Sequence, residues 1–233
     1  MKPLLTILTV VFNDITIEQT IKSVIPFLSK EVEYVLIDGA STDDTLSIIE
    51  KYRSYFSFFL SETDKGIYDA INKGVKFSRG DFILHVNAGD FLLNLPLDEL
   101  YKERYNENVA ALSFPVIMNS DKFFYPCINW KIKFKNTLHH QGTFYRRNID
   151  HYDITSRVFA DADLNKRLYK CKYVIKTYTF PYIANHLWNG ISTKTKNRHE
   201  WYLVIIKNYG YFYLLFHFFY RLLDLFCGRN NKM

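Results

Sequence analysis

Carboxylate and amide side chains recur in this sequence at one kind of place, where an apolar run gives way to a turn. The clearest case is Asp81-Phe-Ile-Leu-His-Val-Asn-Ala-Gly-Asp90, a mostly apolar stretch that runs into the polar tip Asn87-Ala88-Gly89-Asp90. The same transition occurs at Asn13, at Asp38 and at Glu62 to Asp64. A single such residue is ordinary turn chemistry, because Asp and Asn side chains bond to their own backbone two residues on. Four in succession mean more, because parallel strands deliver their C-terminal ends to one sheet edge, where ligands bind in the crevice. Oxygen donors of this kind suit Mg2+ or Mn2+ shared with a phosphate-bearing ligand. Asp90 is the residue expected to hold the metal.

The elements that must position these groups follow a strand–helix rhythm. Residues 4–12 (LLTILTVVF) are continuously apolar and rich in β-branched side chains, which fits a strand buried on both faces. Thr16 and Gln19 read as a capping box for a helix whose apolar face is Ile17, Ile21, Val24 and Leu28. Residues 33–37 read as the second strand, and Ser41 or Thr42 can cap the next helix, with Leu46, Ile49 and Tyr52 inward. Residues 56–60 read as a third strand. A loop then leads to a helix carrying Ile67, Ala70, Ile71, Gly74 and Val75 on one side, with Gly80 at its end. After Asp90 the pattern loosens. A helix is expected over 97–105, strands over 109–116 and 122–125, and a strand over 142–147 behind the polar turn His139-His140-Gln141. A helix over 158–169 and a β-rich stretch over 173–183 complete the pattern. Alternation with short turns predicts an α/β fold, a mainly parallel central sheet with helices on both faces.

Composition bounds the rest. A chain of 233 residues makes one domain, or one domain with an appendage. Residues 1–110 carry 11 Lys and Arg against 17 Asp and Glu, whereas residues 111–233 carry 19 against 7. The acidic half suits a metal and nucleotide site. The basic, aromatic half suits an anionic membrane surface or a phosphate-bearing substrate. Cys127, Cys171 and Cys227 are odd in number and far apart, which excludes a disulfide framework and a zinc pattern and fits a reducing cytoplasm. Lys2-Pro3 leads straight into a strand, so no signal peptide is expected. The basic residues are scattered among apolar ones without a recognised binding motif, so nucleic acid is not an expected partner. Residues 209–226 (YGYFYLLFHFFYRLLDLF) are apolar and aromatic but interrupted by His217, Arg221 and Asp224. A spanning helix needs about 20 apolar residues, and charge at mid-membrane is costly. The stretch therefore reads as a helix lying in one leaflet. The rival is a helix packed on the domain or across a homodimer.

Five segments resemble the inverting glycosyltransferases of family 2, which have the GT-A fold, and look most like bacterial members that build surface polysaccharides. They are Thr6-Ile-Leu-Thr-Val-Val-Phe-Asn13, Tyr34-Val-Leu-Ile-Asp-Gly-Ala-Ser-Thr-Asp43, Ser61-Glu-Thr-Asp-Lys-Gly-Ile-Tyr-Asp-Ala-Ile-Asn-Lys-Gly74, Asn87-Ala-Gly-Asp90, and His140-Gln141 with Phe159-Ala-Asp-Ala-Asp-Leu164. The resemblance implies a GT-A domain over residues 1–192, split into a nucleotide-sugar half (1–110) and an acceptor half (111–192). Residues 193–233 would form a basic, aromatic helical segment for membrane association. It implies a nucleotide-diphosphate sugar donor, UDP-linked, and Mn2+ or Mg2+. The acceptor would be a saccharide, free or linked to polyprenyl diphosphate, at the cytoplasmic face of the cell membrane, where the protein would be peripheral.

Residue by residue, the resemblance implies that Asp38 accepts a hydrogen bond from the nucleotide base, with Val10 and Asn13 lining the base and ribose pocket. Asp64, Lys65 and Asp69 would face the donor, with Lys65 on its phosphates, and Asn87 would bond the ribose. Asp90 would hold the metal, with His186 either completing the shell or structural. Asp161, or alternatively Asp163, would be the base. His140, Gln141, Arg146 and Trp188 would meet acceptor or phosphates. The chain departs from the family twice, with Asn87 and Gly89 where carboxylates are usual and Ala160 where a Glu precedes the base. Two rival classes remain: a sugar-nucleotide nucleotidyltransferase, disfavoured because no glycine-rich loop follows the first strand, and a non-catalytic nucleotide-sugar-binding membrane partner.

Overall fold

The structure, a computed structural model, describes residues 2–119, 121–187 and 198–226, with side chains to residue 222. Strands β1 (Leu5–Val11), β2 (Val32–Asp38), β3 (Phe58–Ser61) and β4 (Phe82–His85) lie parallel in the order β4-β1-β2-β3. Helices α1 (Ile17–Val24), α2 (Thr45–Lys51) and α3 (Ile67–Phe77) make the crossovers. All seven residues of β1 and of β2 are buried, so both faces of the sheet are covered. Strand alternation divides them: Ile7 and Val11 pack with Ile17, Ile21 and Val24 of α1, while Leu8 and Val10 pack with Tyr68, Ala70 and Ile71 of α3. Each such Leu, Ile or Val contributes about 1.5–3 kcal/mol by leaving water. The α3–β1 approach is close enough that a Cβ at Gly74 would sit 2.3 Å from Leu8 Cδ1.

The chain continues through β5 (Phe91–Leu92), α4 (Leu97–Glu103), β6 (Val109–Ser113), β7 (Val116–Met118), β8 (Lys122–Phe124), β9 (Thr143–Arg146), α5 (Ala160–Lys170), β10 (Val174–Thr177) and β11 (Ala184–His186). The main sheet has the order β10-β6-β9-β4-β1-β2-β3, in which β9 alone runs against its neighbours. That reversal is what brings the second half of the chain to the tip of β4. Because β9 runs backwards, the residues that precede it lie at the same edge as the tip of β4, and the residues that end it lie at the opposite edge. A second sheet, β5-β11-β7-β8, begins one residue after Asp90 and includes His186 at the end of β11.

Three local expectations give way. The strand expected over 109–116 divides at Pro115, which has no N–H to continue a ladder, into β6 in one sheet and β7 in the other. Thr16 and Gln19 form no capping box. Asp14 Oδ1 accepts the Thr16 N–H at 2.9 Å, and the Gln19 side chain reaches Gly89 O at 2.7 Å. Ser41 and Thr42 do not cap α2, which starts after Asp44; Ser41 instead serves Asp38.

The C-terminal helices α6 (Arg198–Tyr209) and α7 (Tyr211–Phe226) form an arm, with α6 packed on α5 and α7 on α6. Asp163 of α5, buried, accepts from Asn208 Nδ2 at 2.7 Å, Arg167 Nε at 2.9 Å and Lys207 Nζ at 3.2 Å, which fastens α6 in place. Among the described residues no helix is long and apolar enough to cross a membrane.

Candidate active site

The polar tip of β4 is a tight turn. Gly89 has φ +89°, a left-handed value that favours glycine, and Asp90 N–H closes the turn on Asn87 O at 3.2 Å. Helix α1 supports it from one side, since Thr20 Oγ1 donates to Asp90 O at 2.8 Å and Gln19 holds the Gly89 carbonyl. The turn aims the Asp90 carboxylate, 4% exposed, at residues from the second half of the chain. There Leu187 N–H donates to Oδ1 at 2.7 Å, His186 Nδ1 lies 3.1 Å from Oδ2, and Gln141 Nε2 donates to Oδ2.

A second line of contacts leaves the same turn. Asn87 Nδ2 meets His140 Nε2 at 2.9 Å, and the other ring nitrogen of His140 lies 3.7 Å from Asp161 Oδ2. Asp161 sits on the first turn of α5, 8% exposed, with Tyr68 Oη 3.1 Å from its Oδ1. Burial pushes the Asp161 carboxyl up, but the His140 imidazole, the Ala162 N–H and the Tyr68 hydroxyl outweigh it, so its pKa falls below the ordinary carboxylate value. Tyr68 is driven well above its usual pKa by burial and by the Asp161 charge, so it stays a proton donor. His139 is held well below its usual pKa by burial and by His140 and His186. His85, behind them on β4, is pushed down to about 3 by burial and by His140. These two rings are neutral at physiological pH. The edge therefore offers an ionised carboxylate on the first turn of α5, linked through His140 to the side chain of Asn87 in the β4 turn.

Asp90 and His186 are the groups that could hold a divalent ion. Their donor atoms are 3.1 Å apart, matching the roughly 3 Å edge of an octahedron with bonds of about 2.1 Å. Among the described residues no three acidic, His or Cys side chains gather in metal-binding geometry, so this pair would supply two ligands and leave the rest to substrate and water.

The remaining expected residues divide. Asn13 has φ +48° and bridges two loops, with its N–H on Ser41 Oγ at 2.8 Å and its Oδ1 taking the Thr42 N–H at 2.8 Å. Asp64 lies against the next loop, its Oδ2 2.6 Å from where a Cβ on Gly39 would be, and its Oδ1 accepts the Gly66 N–H. Asp69 takes the Lys65 N–H at 2.9 Å, and the Lys65 side chain is exposed. Gln141 and His140 lie at the edge of the β4 tip, against Asp90 and Asn87.

Arg146 ends β9 beside Phe82, at the wrong edge, and its guanidinium bonds the carbonyls of Glu103, Arg104, Asn106 and Val109. Val10 is a core residue under α3 rather than a pocket wall. Asp38 is fully buried at the end of β2 and takes the Ser41 N–H, Ser41 Oγ and Ser61 Oγ, which braces its turn. Trp188 lies outside the described residues. Reading the sequence missed Tyr68, a hydroxyl on the buried side of an amphipathic helix. Such a group needs a partner when buried, and that was the available signal.

The sequence matches the description "Glycosyl transferase family 2" over residues 6–171. A "PGL/p-HBAD biosynthesis glycosyltransferase" of Mycobacterium tuberculosis is 30% identical over 172 residues, covering 67% of this chain and 65% of that protein. The chain thus spans about two thirds of that relative's length. TarS from S. aureus, residues 1–349, superposes with a TM-score of 0.68 at 19% identity over 89% of this chain and 65% of that one. It has also been solved with UDP and with UDP-GlcNAc. A mannosyltransferase from Pyrobaculum calidifontis, solved with GDP-Man and Mn2+, superposes with a TM-score of 0.58 at 15% identity over 96% of this chain and 65% of that one.

Proposed function

The chain belongs to glycosyl transferase family 2, and on that premise we propose that it moves a sugar, with inversion, from a UDP-linked donor to a hydroxyl of a saccharide or polyprenyl-diphosphate-linked acceptor. The observation that supports this is the run of contacts from the β4 turn that carries Asp90, through the Asn87 side chain and His140, to within 3.7 Å of Asp161. It puts a carboxylate suited to the diphosphate side and a carboxylate suited to the acceptor side on one edge.

The step balances simply. The acceptor oxygen bonds the anomeric carbon, the bond to the UDP oxygen breaks on the opposite face, and the acceptor proton passes to Asp161. The lowered pKa keeps Asp161 ionised at neutral pH, and Tyr68 and His140 fix its orientation. Asn13, Ser41 and Asp64 flank the loops along which base and ribose would lie. Asp90 and His186 would hold Mn2+ or Mg2+, which when bound stabilises charge on the departing diphosphate.

The acceptor class follows from the arm. Tyr211, Phe212, Leu215, Phe218, Phe219 and Leu222 are exposed along one side of α7, while Lys131, Lys133 and Lys135 lie over the Tyr213 and Tyr220 rings on its other side. An exposed aromatic face in a half of the chain that carries 19 Lys and Arg against 7 Asp and Glu suits an anionic bilayer surface, so the protein would be peripheral at the inner face of the membrane. Flotation with vesicles of anionic phospholipid tests this; no association with such vesicles would refute it.

The reaction itself is tested by UDP release from UDP-glucose, UDP-galactose and UDP-N-acetylglucosamine with Mn2+. Asp161→Asn is expected to lower turnover by about 10²–10⁴-fold while the donor still raises the melting temperature. Unchanged turnover in that variant would remove Asp161 from the chemistry.

A further inference from the structure

Helix α5 carries Asp161 on its first turn, yet its own sequence does not cap it. Phe159 stands at the N-cap with no side-chain acceptor, and Ala160 follows. The first N–H groups of a helix lack intrahelical partners and are normally met by a nearby side chain. Glu200 of α6 meets the N-cap N–H of Phe159 and, with it, the donors of the strap that precedes the helix. Glu200 Oε1 takes Ser156 Oγ at 2.6 Å, Val158 N–H at 2.7 Å and Phe159 N–H at 2.8 Å, and Oε2 takes Arg157 N–H at 3.1 Å. Four donors from four consecutive residues converge on one carboxylate.

We propose that Glu200 is a positioning residue for Asp161. It grips the 156–159 strap from its N–H side, while Tyr68 grips the same strap from its carbonyl side. The Tyr68 hydroxyl donates to Val158 O at 2.7 Å and lies 3.1 Å from Asp161 Oδ1. Phe159 O accepts the Asp163 N–H at 3.0 Å, the bond that begins the helix. The strap, the tyrosine and the first turn of α5 therefore form one assembly, and Glu200 closes it. A negative charge at this end of the helix also meets the positive end of the helix dipole. The arm thus supplies, from 40 residues further along the chain, an acidic group beside a helix start where position 160 has only a methyl. The inference rests on Asp161 being the base.

The test compares Glu200→Ala and Glu200→Gln with Lys207→Ala, which loosens α6 from Asp163 of α5 and from Asp153 in the preceding loop without bonding to the strap. The readout is UDP release from whichever of UDP-glucose, UDP-galactose and UDP-N-acetylglucosamine the wild type hydrolyses fastest, with amide exchange of residues 157–159 alongside. Glu200→Ala is expected to lower kcat about ten- to hundredfold, leave the donor KM within about twofold, and speed exchange at 157–159. Glu200→Gln keeps Oε1 as acceptor for three of the four donors, so it is expected to recover most of the lost kcat; it is also the variant to use if Glu200→Ala does not fold. Lys207→Ala is expected to lower the melting temperature with kcat unchanged. Equal loss of kcat in Lys207→Ala and Glu200→Ala, or a Glu200→Ala enzyme with wild-type kcat, overturns the proposal. Asp161→Asn in the same assay separates the two ideas. If it is inactive while Glu200→Ala is not, only the positioning role fails; if it turns over normally, the assignment of the base fails first.

Discussion

The two banks of the site are built by different means. On the donor bank the loops hold one another over short distances: Asn13 to Ser41 and Thr42, Asp14 to Thr45, Asp38 to Ser41 and Ser61, and Lys73 to Thr63. On the acceptor bank the contacts, His140 to Asp161 excepted, join residues further apart in the chain: Gln141, His186 and Leu187 to Asp90, His140 to Asn87, and Glu200 to 156–159. The first bank is a property of successive strand ends. The second exists only once β9 has reversed and the arm has docked. A site so built has a preformed donor side and an acceptor side whose geometry depends on tertiary assembly, which local unfolding would disturb first.

Asp90 joins the banks, so its loss is the largest perturbation. Asp90→Ala leaves Gln141 Nε2, the Leu187 N–H and His186 Nδ1 without their acceptor in a buried setting. At about 1–3 kcal/mol for each unsatisfied group, a destabilisation of about 4 kcal/mol is expected, with loss of any Mn2+-dependent UDP release. Amide exchange should quicken at 139–142 and 184–187. Asp38→Ala is the control, and should quicken exchange only around 39–42 and 61. If Asp90→Ala leaves 184–187 protected, the banks are not joined there and the contrast fails.

The next effect concerns the outer side of the arm. Phe212 and Phe219 are 65% and 59% exposed, so their replacement removes little from the folded core. Burying a phenyl ring in full stabilises by about 1.5–3 kcal/mol. For two half-immersed rings, Phe212→Asp with Phe219→Asp should weaken anionic-vesicle binding by about 2 kcal/mol, or roughly 30-fold. Turnover of UDP-sugar in solution should stay at the wild-type rate. If it falls in parallel, the outer and inner sides of the arm are coupled, and the acceptor bank extends to the bilayer.

The same contrast explains what the sequence made legible. The parallel half could be read because each β-branched run and helical repeat reports its own burial, and Asp90, Asn87 and Asp161 stood out because strand ends and helix starts are recognisable locally. Arg146 misled because its position on β9 looked close to His140, whereas a backward strand carries it to the far edge. Glu200 was invisible for the opposite reason. Nothing near it in sequence needs a carboxylate; the need belongs to Ala160 and the strap before it. Pro115 was visible, but the sheet each half of its strand would join was not, since both halves are equally apolar. Val10 shows that a buried position beside a site is still core when its strand is covered on both faces.

The smallest effect tests whether the donor bank really acts locally. Gln19 sits one turn into α1, where spacing from Thr16 suggested a cap, yet its amide crosses to Gly89 O at 2.7 Å and supports the turn that aims Asp90. A net protein hydrogen bond contributes about 1 kcal/mol. Gln19→Ala should therefore lower the urea midpoint by an amount equivalent to about 1 kcal/mol with the slope unchanged. The position of the loosening decides the meaning. Faster exchange of the Asp90 N–H, which closes the turn on Asn87 O, would show that α1 works through the tip of β4. Faster exchange confined to 17–19 would return Gln19 to the helix start and restore a donor bank held wholly by its own loops. In the first case the turnover number should fall slightly with the donor KM unchanged, because a freer tip misaims Asp90 without opening either loop.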